Sequence, residues 1–151
     1  CKNIFKEISL EKNFVQFNHS FNKEKGTLRG MHFQTKPFKE VKLIRCVQGA
    51  VYDVAIDLRG DSDTYLKSFG IELSQDNFLS VLIPEGFAHG FQTLKDSSSL
   101  IYHHTEFYRP GADSGVKFDD PSLKLDWPLP VRNVSVKDSN YKLIDIDFKG
   151  L

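Results

Sequence analysis

The chain has 151 residues, and its 20 Lys and Arg balance 20 Asp and Glu, for a formal net charge of zero. That balance argues against a general nucleic-acid binder, which carries a basic footprint, and no stretch reaches the roughly 18 apolar residues of a membrane helix. The length suits a single domain, residues 1–151, with a sizeable core, and 13 Phe supply apolar surface for it.

In chain order, Cys1 opens the sequence without Met or a signal-peptide pattern, so a missing N-terminal segment is expected. Residues 2–7 suit a short helix. Residues 13–18 alternate, with Phe14 and Gln16 on one side and Val15 and Phe17 on the other. Residues 21–26 read as a solvated, charged loop. Residues 26–34 read as a strand carrying Arg29 and His32, three residues apart. Lys42 sits inside the apolar strand of residues 41–44. Residues 43–58 read as two strands joined by a turn at Gly49. Tyr52, Val54, Ile56 and Leu58 share one face of the second, and Val51, Asp53, Ala55 and Asp57 the other. Cys46, in this apolar run, reads as a buried free thiol suited to a reducing cytosol.

After a turn at residues 59–63, strands are expected at 65–73, 78–83, 89–94 and 100–105. From Tyr108 on, Pro110, Pro121, Pro128 and Pro130 break regularity, so the tail is expected to wrap the body, with one helical turn near residues 139–143. Short strands with Gly- or Asp-rich turns every ten residues or so suggest a sandwich or barrel. Two histidines, His32 and His89, with Lys42 and Arg29 on strands of one small β-domain suggest an anion site with an internal base rather than a metal cage.

Two resemblances sharpen this reading. Pro84, Gly86 and His89 match the second motif of the cupin double-stranded β-helix. The first cupin motif departs: Gln34 stands where a second His is expected, and Lys42 falls about where a Glu ligand would be. A cation there opposes a divalent ion. The closer resemblance is to the dTDP-4-dehydrorhamnose 3,5-epimerase family of metal-free cupins. It is carried, in order, by residues 16–20, 28–34, 42–45, 53–59 and 84–91, then Tyr102, Asp119-Asp120-Pro121, Asp126-Trp127-Pro128 and residues 135–138.

The resemblance implies an all-β jelly roll with short peripheral helices, no cofactor, a nucleotide-sugar substrate, a homodimer and a cytoplasmic location. It implies epimerisation of a 4-keto-6-deoxy nucleotide sugar at C3, C5 or both. His32 is then the base, Asp138 orients it, Lys42 stabilises the enolate, and Tyr102 is the acid on the opposite face. Arg29 would hold phosphate. Gln16 and Asn18 would contact diphosphate or sugar, His89 would line the pocket, and Tyr108 would lie near the nucleotide base. A single-centre 3- or 5-epimerase, a 3,4-ketoisomerase and a non-catalytic sugar-nucleotide-binding cupin stand as alternatives.

Plainer readings stay beside these. His89 can support the turn after Pro84, Lys42 can be an edge-strand lysine, and Tyr102 can be core. Asp138 can cap the turn at residues 139–143. His19, His103 and His104 read as structural or surface residues, and Asp119-Asp120 as a turn before Pro121.

Overall fold

The computed structural model describes residues 2–7 (2–4 by backbone alone), 12–145 and 147–151; Cys1 lies outside the described residues. The expected first helix is α1 (Lys2–Glu7). Nine strands follow among the described residues, in two antiparallel sheets. β1 (Gln16–Asn22), β8 (Ser98–His104), β3 (Lys42–Gln48) and β6 (Ser80–Ile83) form a four-stranded sheet in the order β1-β8-β3-β6. β5 (Ser68–Ser74), β4 (Ala50–Asp57), β7 (Phe87–Thr93), β2 (Leu28–Gln34) and β9 (Asp113–Gly115) form the other, in the order β5-β4-β7-β2-β9. The result is the jelly roll expected from the sequence. α2 (Val136–Ser139) is a single helical turn.

The turn at Gly49 connects two strands that do not pair: β3 lies in one sheet and β4 in the other. The chain changes sheets there, and Ala50 to Asp57 is buried on both faces except at Tyr52. The two faces separate as the alternation requires. Val54, Ile56 and Leu58 join Met31, Phe33, Ala88, Val116 and Leu123 in a cluster under the C-terminal tail. Val51 and Ala55 join Ile44, Cys46, Leu73, Ile83, Phe91 and Leu100 between the two sheets. Each fully buried Leu, Ile or Met contributes about 1.5–3 kcal/mol by leaving water. Cys46 is a buried free thiol, and burial pushes its titration up.

Several boundaries differ from the sequence reading. The first strand begins at Gln16 and takes in Phe21 and Asn22, because pairing with β8 continues to Asn22↔Ser98. The expected strand at 65–73 starts only at Ser68. Residues before it form a turn organised by Asp57, which accepts hydrogen bonds from Arg59, Ser62 and Thr64. The tail wraps as expected, with Trp127 edge-on to Tyr52 and Leu151 N–H donating to Leu58 O, but it also adds β9 to the edge of β2. The helical turn lies earlier than residues 139–143. Ser135 caps it by accepting from the Asp138 N–H, so Asp138 sits inside the turn and is not its cap.

Candidate active site

A cleft of about 580 Å³ opens between the sheets at the end that the inter-sheet core leaves free. A second lobe of about 200 Å³ continues from it. Asn18, His32, Lys42 and His104 line both lobes.

One wall comes from the five-stranded sheet. On a regular strand, residues three apart point to opposite faces. Arg29 and His32 nevertheless both line the cleft, because β2 carries one extra residue between Arg29↔Phe91 and His32↔His89. This bulge restores both side chains to one face. It needs glycine: Gly30 has φ of +130°, and a Cβ there would meet Gly90 Cα at 2.5 Å.

Three imidazole–carboxylate pairs surround the cleft. His32 Nε2 lies 2.6 Å from Asp138 Oδ1, which leaves Nδ1 for a ligand. Asp138 is 1% exposed, and its other oxygen accepts from the Gly30 N–H at 3.2 Å. Burial would raise its titration, but the hydrogen bond and charge of His32, with the Gly30 and Ser135 bonds, hold it below the ordinary carboxylate value. His89 Nε2 lies 2.9 Å from Asp53 Oδ2, with both residues buried. Burial holds the His89 imidazole below its ordinary value against the pull of Asp53, so it is neutral. Its partner is therefore Asp53 on β4, not the turn after Pro84. The third pair is His104 Nδ1 with Glu40 Oε2, at 2.7 Å.

The opposite wall comes from the four-stranded sheet, in two cross-strand rows: Gln16, His104 and Lys42, then Asn18, Tyr102 and Ile44. Lys42 lies on an interior strand, not at an edge, and is buried. Its Nζ is 3.3 Å from Glu40 Oε1 and 3.5 Å from the His32 carbonyl oxygen. An ammonium has three protons, so one remains for the cleft. The Tyr102 ring packs on the inter-sheet core yet also lines the cleft, 6.0 Å from the His89 ring and edge-on to it. Burial, with the Asp53 carboxylate nearby, pushes the phenol well above its ordinary value, so it keeps its proton at neutral pH.

The second lobe gathers polar and aromatic groups. Gln16 accepts from the Tyr108 N–H at 2.8 Å, and the Tyr108 hydroxyl is 3.3 Å from Asp113, which also pairs with Lys137. Arg29 donates to the carbonyls of Leu28 and Asn133 with one guanidinium nitrogen. Gln34, at the position of an expected metal-ligating His, is buried and spends its amide on Phe38 O, Phe107 O and the Arg109 N–H. Among the described residues, no three His, Cys, Asp or Glu side chains form a metal-ligand group.

All nine residues singled out in the sequence lie at this cleft or directly behind it, Asp138 through His32. Sequence reasoning missed Glu40, Asp53 and His104. His19 and His104 line the cleft, whereas His103 packs between Phe14 and Phe17. Asp53 sits between Val51 and Ala55 on a strand face whose other charge, Asp57, lies at the strand end; a charge inside such a run was the available signal. The Asp120 carboxylate accepts from Ser122 and the Ile144 N–H, as a turn residue.

Known proteins share this architecture. The family model described as dTDP-4-dehydrorhamnose 3,5-epimerase matches residues 1–145. The dTDP-4-dehydrorhamnose 3,5-epimerase of Methanothermobacter thermautotrophicus is 48% identical over 143 residues, covering 92% of this chain and 76% of that protein. The crystal structure of the Bacillus anthracis dTDP-4-dehydrorhamnose 3,5-epimerase with TDP and PPi bound superposes with a TM-score of 0.92 at 42% identity, covering 95% of this chain and 82% of that one. A dTDP-6-deoxy-D-glucose-3,5-epimerase of Legionella pneumophila, in complex with dTDP-4-keto-L-rhamnose, gives 0.89 at 37% identity, covering 95% and 76%.

Proposed function

The chain belongs to the dTDP-4-dehydrorhamnose 3,5-epimerase family, and on that premise we propose that it epimerises a 4-keto-6-deoxy nucleotide sugar next to the ketone, with His32 as base and Tyr102 as acid. It is an isomerase by kinship. The observation that carries the assignment of roles is that His32 and Tyr102 project into one cleft from opposite sheets. Inversion requires a proton to leave one face of the sugar and another to arrive on the opposite face.

The chemistry follows. The 4-keto group acidifies the hydrogens at C3 and C5. His32 Nδ1 takes one, and ionised Asp138 stabilises the imidazolium that forms. The C–H electron pair passes to the keto oxygen, where the free proton of Lys42 supports the enolate. Tyr102 then donates its proton to the carbon from the other side. The phenolate, whose proton affinity burial makes high, recovers a proton from solvent, and His32 releases its own.

Arg29 suits a phosphate oxygen through its remaining guanidinium donors. Gln16 lines the second lobe and Asn18 both lobes, within reach of diphosphate or sugar, and Tyr108 offers an aromatic face for the nucleotide base. The reading extends to a cytoplasmic homodimer. Phe17 and Phe21 are exposed on β1, an apolar surface that a second subunit would cover; light scattering after size exclusion measures it.

Solvent deuterium incorporation into dTDP-4-keto-6-deoxyglucose, followed by NMR, tests the function. Label at C3 and C5 with inverted product is expected. Label at one carbon alone identifies a single-centre epimerase, and no label with retained binding identifies a non-catalytic cupin.

A further inference from the structure

We propose that His104 is a sugar-binding residue: its Nε2, turned to the cleft by Glu40 on the other ring nitrogen, accepts a hydrogen bond from a hydroxyl of the keto sugar. The proposal rests on the epimerase reading and adds a substrate contact to it.

The first support is an unpartnered atom. His104 is 7% exposed and lines both lobes of the cleft, yet its Nε2 is buried with no hydrogen-bond partner among the described residues. Buried polar atoms are almost always paired, and an exception asks for an explanation. Nδ1, by contrast, is firmly held by Glu40 at 2.7 Å.

The second support is the direction of the missing bond. Burial would raise the Glu40 carboxyl, but its hydrogen bond to His104 and the charge of Lys42 hold it below the ordinary value, so it is ionised. An ionised carboxylate only accepts, so the ring carries its proton on Nδ1. In the neutral ring, Nε2 is then an acceptor. An acceptor matches a hydroxyl and not a phosphate oxygen.

The third support is place. His104 and Tyr102 are two residues apart on β8, so they share a face, and their rings stack with centroids 6.1 Å apart and planes 20° from parallel. His104 is also the direct cross-strand partner of Lys42. A sugar held between His32 and Tyr102, with its keto oxygen at Lys42, has His104 along its flank. Glu40 thereby holds two groups at once, Lys42 through one oxygen and His104 through the other.

The test is calorimetric binding of non-reacting ligands: dTDP-6-deoxyglucose, its 2-deoxy and 3-deoxy analogues, and TDP. The proteins are wild type, His104→Phe and His104→Gln. A neutral hydrogen bond corresponds to a loss of about 5-fold. We expect His104→Phe to weaken dTDP-6-deoxyglucose by about that factor while leaving TDP unchanged, and His104→Gln, which keeps an acceptor, to recover most of it. One deoxy analogue should bind wild type about 5-fold more weakly than its parent and lose nothing further in His104→Phe. Equal weakening of TDP and the sugar nucleotide overturns the proposal in favour of a phosphate contact or packing. Equal wild-type affinity for both deoxy analogues and their parent overturns it too, even if His104→Phe does not fold. If wild type binds no nucleotide sugar, the epimerase reading falls with it; if it binds and epimerises while the hydroxyl comparisons fail, His104 alone is wrong.

Discussion

The two walls of the cleft are built differently. The five-stranded wall is packed on both faces, by the inter-sheet core on one side and by the C-terminal tail on the other. Its histidines are each fixed by a buried carboxylate, Asp138 from the tail and Asp53 from β4. The four-stranded wall leaves Phe17, Phe21 and Val47 exposed, and offers the cleft a phenol, an ammonium and an imidazole that share fewer supports. The difference suits the opposite proton tasks proposed for the two walls. A base that must become a cation benefits from a fixed anion behind it. An acid that must hold its proton at neutral pH needs only burial, which disfavours phenolate.

The strongest way to break this contrast is to remove the base. His32→Ala or His32→Asn should lower both deuterium exchange and product formation by roughly 100- to 10,000-fold. Exchange within a few-fold of wild type would assign the base elsewhere. On the other wall, Tyr102→Phe should reduce inverted product by about 100-fold, while exchange through His32 persists as protons return to the face they left. NMR of label and product stereochemistry in one series separates the two. An equal fall in both would leave Tyr102 a positioning role only.

Asp138→Asn keeps the shape but removes the anion behind His32. A fall on the order of 10- to 100-fold in kcat is expected, smaller than loss of the base itself; an unchanged kcat would mean that the pair does not support the imidazolium.

The next effect is on stability. Because burial lowers the His89 titration, the unfolded chain binds the extra proton first. Stability is therefore fully present above about pH 6.5 and declines as pH falls below it. His89→Gln should flatten that part of the decline in urea midpoints measured from pH 7.5 to 5.5 (both about neutral, where histidines titrate), and identical slopes would show that His89 is not its source. The smallest expected effect is that of chelator: EDTA should leave activity unchanged, and loss restored by Fe, Mn or Zn would return the cleft to metal chemistry.

Much of this was legible along the chain. Strand positions followed from alternation, since a half-buried strand writes its two faces into every second residue. Both faces of residues 51–58 were readable for that reason, and the buried Cys46 with them. The segments that carry the family resemblance implied His32, Lys42, His89, Tyr102 and Asp138 as one set. Alternation is a local signal, however, and it does not say which strands pair. It left open that β3 and β4 lie in different sheets, and that three tail residues add a strand beside β2.

The sequence by itself therefore determined the all-β class, the strand-borne cations and histidines, and the absence of a carboxylate where a cupin metal ligand is expected. Tertiary structure alone decided how those residues meet. Arg29 and His32, at a spacing that opposes them on a regular strand, share the cleft only because Gly30 and Gly90 let β2 bulge against β7. Asp138 reaches His32 across 106 residues of chain, and His104 finds Glu40 across 64. Hydrogen bonds act over about 3 Å, so contacts of this kind exist only once packing has brought distant strands together, and no local pattern announces them.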